Sequence, residues 1–334
     1  MKILKTLPGD VDFQFFEILP QLIYDVSVLH LKQPESVPIP YLMQCYVAIE
    51  NEIPIARLSL YLNPELIYDG KQTASIGNYE CVENQVVSRE LIQFASQEAR
   101  ELGAEFLIGP MNGSTWENYR FSSDHNHPNF FLEPYHHLYY KQQFIEAGFK
   151  SIGNYFSLLD QEVVFKLPEV KKKEVYFENL GVRFKEVNLD DFENTLAEIY
   201  TLNVKAFKTN FLYTPISKLD FIEKYLKAKQ YIQAEFLILA YSSENELIGY
   251  YFCMPDLFNQ KEKSLIIKSI ARIPDEKYRG LGNVIGHKIY TRAQESGYVS
   301  IIHAFIHDNG SSAPISEQFS ENKFKKYSIY GKAI

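Results

Sequence analysis

Two stretches of this chain repeat each other at a constant spacing, and this repeat limits the possible folds more than any other feature of the sequence. When Glu50 is placed on Glu244 without a gap, Ser75-Ile76 falls on Ser269-Ile270. Further matches lie at equivalent turns, strands and helix ends. We interpret the chain as a tandem duplication, in which one fold occurs twice.

The pattern of apolar residues predicts the same order of elements in both copies: a strand, two helices, three strands, a helix, a strand, a short helix and a last strand. A crossover between parallel strands beside an antiparallel hairpin gives a mixed sheet. The sequence therefore predicts an α/β protein with two tandem domains, each a mostly antiparallel mixed sheet flanked by helices. We expect domains at 1–160 and 181–334 and a linker at 161–180, which contains Pro168 and a run of lysines.

The composition is that of a folded protein. The 334 residues are enough for two domains, and 46% hydrophobic with 23% charged residues excludes a disordered chain. The net charge is −8 and the one basic run is Lys171–Lys173, so we expect no nucleic-acid partner. No stretch approaches the ~20 apolar residues of a membrane helix, and Cys45, Cys81 and Cys253 form no CxxC pair. We therefore expect a cytoplasmic protein that does not enter a membrane.

Four histidines lie close together in the first copy: His125, His127, His136 and His137. None of them has the i, i+4 spacing that places two metal ligands on one face of a helix. We interpret the segment as a loop with polar aromatic residues and expect no metal.

A glycine-containing turn joins a strand to a helix in the second copy. The strand is predicted at 264–273, the turn is Tyr278-Arg279-Gly280-Leu281-Gly282-Asn283, and the helix is predicted from Val284 to Ser296. Such a turn directs backbone N–H groups at a helix N-terminus to one side, where they bind anions, most often phosphate. The turn has neither the Lys-Ser/Thr of a P-loop nor the third glycine of a dinucleotide fingerprint.

With its element order and this turn, the chain resembles the GNAT superfamily of acyl-CoA N-acyltransferases, of a tandem-domain type. Members of that family carry Arg/Gln-x-x-Gly-x-Gly/Ala on the turn after the fourth strand, often with a proline and an aromatic residue before the Arg. Pro274, Tyr278, Arg279 and Gly282 match this motif, whereas Val284 stands where the family has Gly or Ala. The resemblance in element order extends over both copies, but only the second copy has the motif.

The first copy lacks the motif at the equivalent turn. This turn, at 85–90, begins with Gln85 but has no glycine. Its two β-branched residues, Val86 and Val87, restrict the backbone and fill the space that a diphosphate needs. The resemblance therefore implies that acetyl-CoA binds as a co-substrate to the second copy, and that the first is a degenerate copy that shapes the substrate cleft.

The resemblance also implies a set of cofactor contacts. In the family, loop N–H groups hold the pyrophosphate and the fourth-strand backbone pairs with the pantetheine arm, which here implies Ile270, Ala271, Arg272, Arg279, Gly280, Leu281, Gly282, Asn283 and Val284. Asn309 matches the asparagine that often begins the fourth helix of the family, where it contacts pantetheine or caps the helix.

We predict His303 and Tyr330 as the catalytic base and acid. His303 and His307 alternate on the predicted fifth strand and would share a face, so either could accept the proton of the attacking amine; the alternative is a core or surface histidine. Glu80 is a third candidate base, at the end of a strand of the first copy. The family's usual acid tyrosine is missing from the second copy, so Tyr330 or Tyr327 could replace it, unless both are simply strand-packing residues.

The irregular segment 110–140 is the predicted binding region for the acceptor, because long loops within a domain are often functional. Trp116, Tyr119, Arg120 and Tyr135 could line a pocket in which Arg120 pairs with a carboxylate of the acceptor. The alternative is a packed surface loop.

Three functions follow from these features. The first is an N-acyltransferase, most simply an N-acetyltransferase that moves an acetyl group from acetyl-CoA to the amine of a small molecule by direct attack. The second is a non-catalytic protein that binds an acyl-CoA or another metabolite, which Val284 and the missing tyrosine favour. The third is an aminoacyl-tRNA-dependent transferase, which would need a basic face that a net charge of −8 does not favour. The sequence specifies neither the acceptor nor the oligomeric state.

Overall fold

The chain forms two compact units in the computed structural model, which describes residues 1–32, 37–310, 313–320 and 322–334. Unit 1 contains Met1–Asn154, Leu212–Thr214 and Lys326–Ile334. Unit 2 contains Tyr155–Phe211 and Pro215–Lys325.

Unit 1 is built on a mixed sheet. Its elements are β1 (Lys2–Thr6), α1 (Phe13–Ile23), α2 (Val26–Leu29), β2 (Leu42–Glu50), β3 (Ile53–Tyr68), β4 (Lys71–Cys81), α3 (Gln85–Glu101), β5 (Phe106–Gly109), β6 (Phe121–Ser122), α4 (Tyr139–Glu146) and the first part of β7 (Lys150–Asp160). The strands β1 to β4 pair antiparallel in chain order, and β4 pairs parallel with β5 after the crossover helix α3. Leu91, Ala95 and Ala99 recur every four residues on α3, and this apolar face packs into the core of the unit.

Unit 2 repeats this plan. Its elements are α5 (Val170–Asn179), β8 (Arg183–Glu186), α6 (Phe192–Ala206), α7 (Lys218–Lys227), β9 (Leu237–Tyr241), β10 (Leu247–Pro255), β11 (Ser264–Arg272), α8 (Leu281–Glu295), β12 (Ser300–His307) and α9 (Ala313–Ser316). The strands β8 to β11 pair antiparallel in chain order, and β11 pairs parallel with β12 after the crossover helix α8. Leu281, Ile285, Ile289 and Ala293 form the buried face of α8.

The last strand of the chain, β13 (Lys323–Ala333), enters the sheet of unit 1. It pairs antiparallel with β5, with Tyr330 opposite Gly109 and Ala333 opposite Phe106. The second part of β7 contributes to unit 2, where 155–160 pair antiparallel with β12. Each sheet is therefore completed by a strand that lies in the other copy of the sequence repeat.

Helix α5 lies in the segment that was expected to be a linker. Residues 161–180 carry the buried side chains Val163, Val170 and Phe177, which belong to the core of unit 2. The segment is therefore a packed part of that unit, because its apolar residues cover α8. Ser311 and Ser312, which come before α9 in the sequence, lie outside the described residues.

The α/β class is confirmed, because in each unit helices flank strands whose pairing is mixed and mostly antiparallel. Across the ranges that the structure describes, no helix has both the length and the apolar character needed to cross a membrane.

Candidate functional site

The helix α8 begins at Gly280, which has a backbone conformation that only glycine adopts without strain. Gly280 has a φ of +92° and is the N-cap of α8, so the helix starts at Leu281, earlier than the predicted Val284. The first amides that return to the Gly280 carbonyl are those of Asn283 and Val284, at 3.1 and 3.4 Å. The N–H groups of Leu281 and Gly282 precede every intrahelical bond and are the donors that a helix N-terminus offers to an anion.

The parallel strands β11 and β12 separate beside this turn. Their ladder ends with Ile267 opposite His303, although β11 continues to Arg272 and β12 continues to His307. Phe305 has a φ of +57°, and the register of β12 shifts at this point, which turns the strand away from β11. The backbone of 270–272 therefore pairs with β10 on one side and borders a gap on the other.

The corresponding gap in unit 1 is filled by its own chain. The ladder between β4 and β5 ends with Ser75 opposite Ile108. Beyond it, the Met111 amide donates to the Ile76 carbonyl at 2.7 Å, and the Asn78 amide donates to Asn112 Oδ1 at 2.9 Å.

In unit 1, the chain at Asn112 lies so close to β4 that only glycine fits at position 77. A Cβ on Gly77 would lie 2.8 Å from the Cα atom of Asn112. The N-terminus of α3 is also occupied, since the Asn84 side chain accepts from the amides of Val86 and Val87 at 2.9 and 3.3 Å. The two copies therefore differ at the same place in the fold: the gap of unit 1 is filled, whereas no described residue bridges the separated ends of β11 and β12 in unit 2.

No atom of the described residues crowds Gly282 at the first turn of α8. A Cβ on Gly282 would have its nearest neighbours, Ile315 Cδ1 and Tyr251 Oη, at 3.7 and 4.0 Å, which is ordinary contact. Val284 is fully buried in the core of unit 2, so its departure from the family motif places no side chain over the amides of the turn. The Arg279 side chain is 78% exposed and approaches Glu276 at 3.6 Å, an exposed pair that adds little stability.

The fold of the whole chain is similar to that of several proteins of known structure. The chain aligns over 99% of its length with 98% of a tandem GNAT protein from the clavulanic acid biosynthesis pathway, with a TM-score of 0.55 and 9% identity. The chain has the tandem GNAT fold. No protein-family model and no curated protein matches the sequence.

Two further structures show the same GNAT fold over 99% of this chain. One is a GCN5-related N-acetyltransferase from Sphaerobacter thermophilus, with a TM-score of 0.51, 11% identity and 95% of that chain covered. The other is the GCN5-related glucosamine N-acetyltransferase region of a fungal multi-domain GH3 β-N-acetylglucosaminidase, with a TM-score of 0.57 and 13% identity. The chain spans 38% of the length of that fungal enzyme. The structural similarity shows the GNAT fold. At identities this low it does not show the activity.

His303 lies at the closed end of the gap, but it is a buried neutral imidazole. Its Nε2 is 2.9 Å from Tyr290 Oη, which donates to Asp160 Oδ2 at 2.9 Å, so Nε2 carries the proton and donates to the tyrosine oxygen. Burial lowers the pKa of His303 to about 3. Among the described residues, its Nδ1 atom has no hydrogen-bond partner. The expectation of an imidazole that titrates near neutrality is therefore corrected.

The prediction that His303 and His307 share a face is wrong. The register shift at Phe305 breaks the alternation of β12, so His303 faces Tyr290 of α8 while His307 stacks on Phe211 with ring centroids 5.0 Å apart. Asn309, which was predicted to contact the cofactor or to cap a helix, is exposed, and its amide donates to His307 Nδ1 at 3.3 Å.

Tyr330 and Tyr327 lie on β13, which belongs to unit 1 from Lys326 onward. Tyr330 is 2% exposed and lies in the core of unit 1 beside Phe121. Tyr330 therefore packs in the unit formed mainly by the first copy, and its role as the catalytic acid stays a prediction.

The four predicted acceptor residues contact different partners. The Trp116 indole N–H donates to the Thr214 carbonyl at 2.8 Å, and the Arg120 guanidinium covers the Tyr119 ring at 3.8 Å. Tyr135 stacks on His125, with ring centroids 4.9 Å apart, and lines a polar cavity of about 290 Å³ in unit 1.

The histidine segment holds no metal-binding group in the described part of the chain. His136 is instead a structural residue, and its two ring nitrogens are committed in one tautomer. Nε2 accepts from the Ser122 amide at 2.6 Å, so Nδ1 carries the proton and donates to the His137 carbonyl at 3.1 Å.

Glu80 is the centre of a buried charged cluster that the sequence did not reveal. Its carboxylate accepts from the hydroxyls of Tyr24 and Tyr140, both at 2.7 Å, and it pairs with Lys32 and, at 3.9 Å, with Arg57. Glu80 is completely buried in unit 1, where the gap is filled. The partners come from distant parts of the sequence, so no local pattern marks this cluster.

Proposed function

We propose that the protein is an N-acyltransferase, most simply an N-acetyltransferase, that uses acetyl-CoA and a small-molecule amine and binds the cofactor in unit 2. The observation that carries this proposal is the contrast between the copies. In unit 2, β11 and β12 separate beside the amides of Leu281 and Gly282, which have no intrahelical partner, whereas in unit 1 Met111 and Asn112 fill the gap. The similar structures named N-acetyltransferases support the choice of reaction class.

The residues of unit 2 fit an acyl-CoA. The amides of Leu281 and Gly282 suit the diphosphate, and the free backbone edge of Ile270, Ala271 and Arg272 suits the amides of the pantetheine arm. The Tyr251 hydroxyl, buried and without a hydrogen-bond partner in the described ranges, offers a further polar contact beside Gly282. When bound, acetyl-CoA supplies a thioester carbonyl as the acyl donor.

The chain accelerates the transfer mainly by holding the two reactants together. Fixing the carbonyl and a neutral amine in attack geometry can lower the barrier by about 7–11 kcal/mol. His303, at the closed end of the gap, hydrogen-bonds Tyr290 and so holds β12 against α8. An imidazole with a pKa of about 3 cannot retain the proton of an amine at neutral pH, so His303 is not the base.

A non-catalytic acyl-CoA-binding protein is the second candidate. The observation that favours it is that both predicted catalytic groups are buried, with Tyr330 in unit 1 and His303 neutral. Release of free CoA with a panel of small amines decides between the two candidates. Turnover supports the transferase, whereas tight binding without thiol release from any amine supports the binding protein.

Thermal unfolding tests the cofactor assignment directly. Acetyl-CoA at a concentration about a hundredfold above its dissociation constant should stabilise the wild type by about 2.7 kcal/mol. Gly282→Arg fills the space over the turn and should abolish the shift, whereas Arg89→Ala, at the equivalent turn of the first copy, should retain it. Unchanged melting of the wild type with millimolar acetyl-CoA would refute the proposal.

Three further assignments belong to this proposal. The sequence domains 1–160 and 181–334 represent the two duplicated copies, and the first is the degenerate one. Tyr135 and the neighbouring segment contribute to acceptor recognition. The cytoplasmic location is in keeping with three buried, free cysteines.

A further inference from the structure

Helix α5 is fixed against both the turn and the body of α8. The Tyr176 hydroxyl donates to the Lys277 carbonyl at 3.3 Å, just before the turn. Glu174 Oε1 lies 2.9 Å from His287 Nδ1 on α8, and Phe177 is completely buried in the core of unit 2. The side chains of α5 on this face therefore have a defined position at the N-terminus of α8.

Lys173 directs its ammonium group at this N-terminus. Its Nζ lies 2.6 Å from the position of a Cβ on Gly280, so the ammonium group lies directly against the N-cap residue of α8. Among the described residues, no carboxylate forms an ion pair with Lys173, whereas the adjacent Lys172 is 79% exposed and pairs with Glu169 at 2.9 Å. A cation at a helix N-terminus lies at the positive end of the dipole, so it gains nothing from α8 unless an anion lies between them.

The Tyr251 hydroxyl reaches the same turn from the interior. Tyr251 is 1% exposed, and its Oη lies 3.2 Å from the position of a Cβ on Gly286 and 4.0 Å from that on Gly282. Within the described part of the chain this hydroxyl has no hydrogen-bond partner. A buried polar group without a partner is destabilising, and a ligand oxygen at the first turn of α8 would satisfy it. A cation outside and a hydroxyl inside therefore converge on one helical turn.

We propose that Lys173 is a diphosphate-binding residue, so that α5 completes the cofactor site of unit 2. This inference rests on the proposed function. Lys173 supplies the positive charge that the turn itself lacks, since the turn has no P-loop lysine and Arg279 points into solvent. The segment between the two copies is thus part of the binding site.

Isothermal titration of the full chain with acetyl-CoA and with S-acetylpantetheine, which has no phosphate, tests this role. Lys173→Met should weaken acetyl-CoA binding by roughly tenfold or more, the loss expected for one charge-assisted contact. The same change should leave S-acetylpantetheine binding unaltered, and Lys173→Arg should restore most of the affinity. Lys172→Met is the matched control and should change neither affinity.

Melting curves of all variants without ligand confirm that they are folded. If Lys173→Met binds acetyl-CoA as well as or better than the wild type, Lys173 only covers the turn and the inference is overturned. Equal losses for both ligands would also overturn it, because the phosphates would then not be the partner. If the wild type itself binds no acetyl-CoA, the proposed function fails together with the inference.

Discussion

Acidification should destabilise unit 1 through His136, because this side chain can accept no proton in the folded state. Nε2 accepts from the Ser122 amide and Nδ1 donates to the His137 carbonyl, so a second ring proton would face an N–H donor. Burial is the main cause that lowers the pKa of His136 to about 3, and the charges of Lys32 and His125 act in the same direction.

The pKa values give the sign and size of the effect. In the unfolded chain His136 has a pKa of 6.5, so between pH 6.5 and pH 3 the unfolded state binds a proton that the folded state does not. Neutral His136 therefore makes its full contribution to the free energy of unfolding above pH 6.5. This contribution decreases as the pH falls from 6.5 towards 3. From about pH 7.5 to about pH 5, the loss in free energy of unfolding is about 2 kcal/mol.

Urea unfolding at both pH values measures this loss. Trp116 is the one tryptophan of the chain and lies in unit 1, so its fluorescence reports the unit that contains His136. The control is His136→Gln, whose side-chain oxygen can accept from the Ser122 amide but does not titrate. The variant should lose about 2 kcal/mol less than the wild type on acidification. Equal losses in both proteins would refute the argument.

Three other changes test the packing of the two units. Glu80→Ala leaves Lys32 and Arg57 without their buried carboxylate and should destabilise unit 1 by about 3–5 kcal/mol in the same fluorescence assay; a loss below about 1 kcal/mol would contradict a buried pair. Deletion of residues 326–334 removes the strand beside β5 and should abolish the native Trp116 signal. An unchanged signal would show that unit 1 folds without β13. Ile289→Ala opens a cavity in the core of unit 2 and should cost about 2–5 kcal/mol by calorimetry, whereas a neutral effect would show that α8 is packed differently.

The elements of the fold follow from local sequence, and the exceptions have physical reasons. The apolar face of α8 recurs at helical spacing, so its existence is predictable. Its start is not, because the left-handed backbone of Gly280 lets the helix begin before Val284. The face of His307 is not predictable either, since Phe305 adopts a positive φ that its residue type does not signal. Strand exchange depends on pairing between distant residues, such as Tyr330 with Gly109, which no local pattern encodes.

The candidate site divides in the same way. The anion-binding turn is visible in sequence, since Gly280 and Gly282 follow a strand and precede a helix. Lys173 and Tyr251 are not visible, because a lysine run is typical of solvated segments and a tyrosine in a strand is typical of packing. Both side chains lie at the first turns of α8 because α5 and β10 pack against that helix, a tertiary contact that no local pattern encodes.

Hydrogen exchange with and without acetyl-CoA shows which of the two copies binds the cofactor. We predict slower exchange in peptides that cover 267–286, the separated end of β11 and the first turns of α8. Peptides that cover 75–91, the filled gap and the start of α3 in unit 1, should exchange at unchanged rates. Protection at 75–91, or at neither segment, would contradict the account.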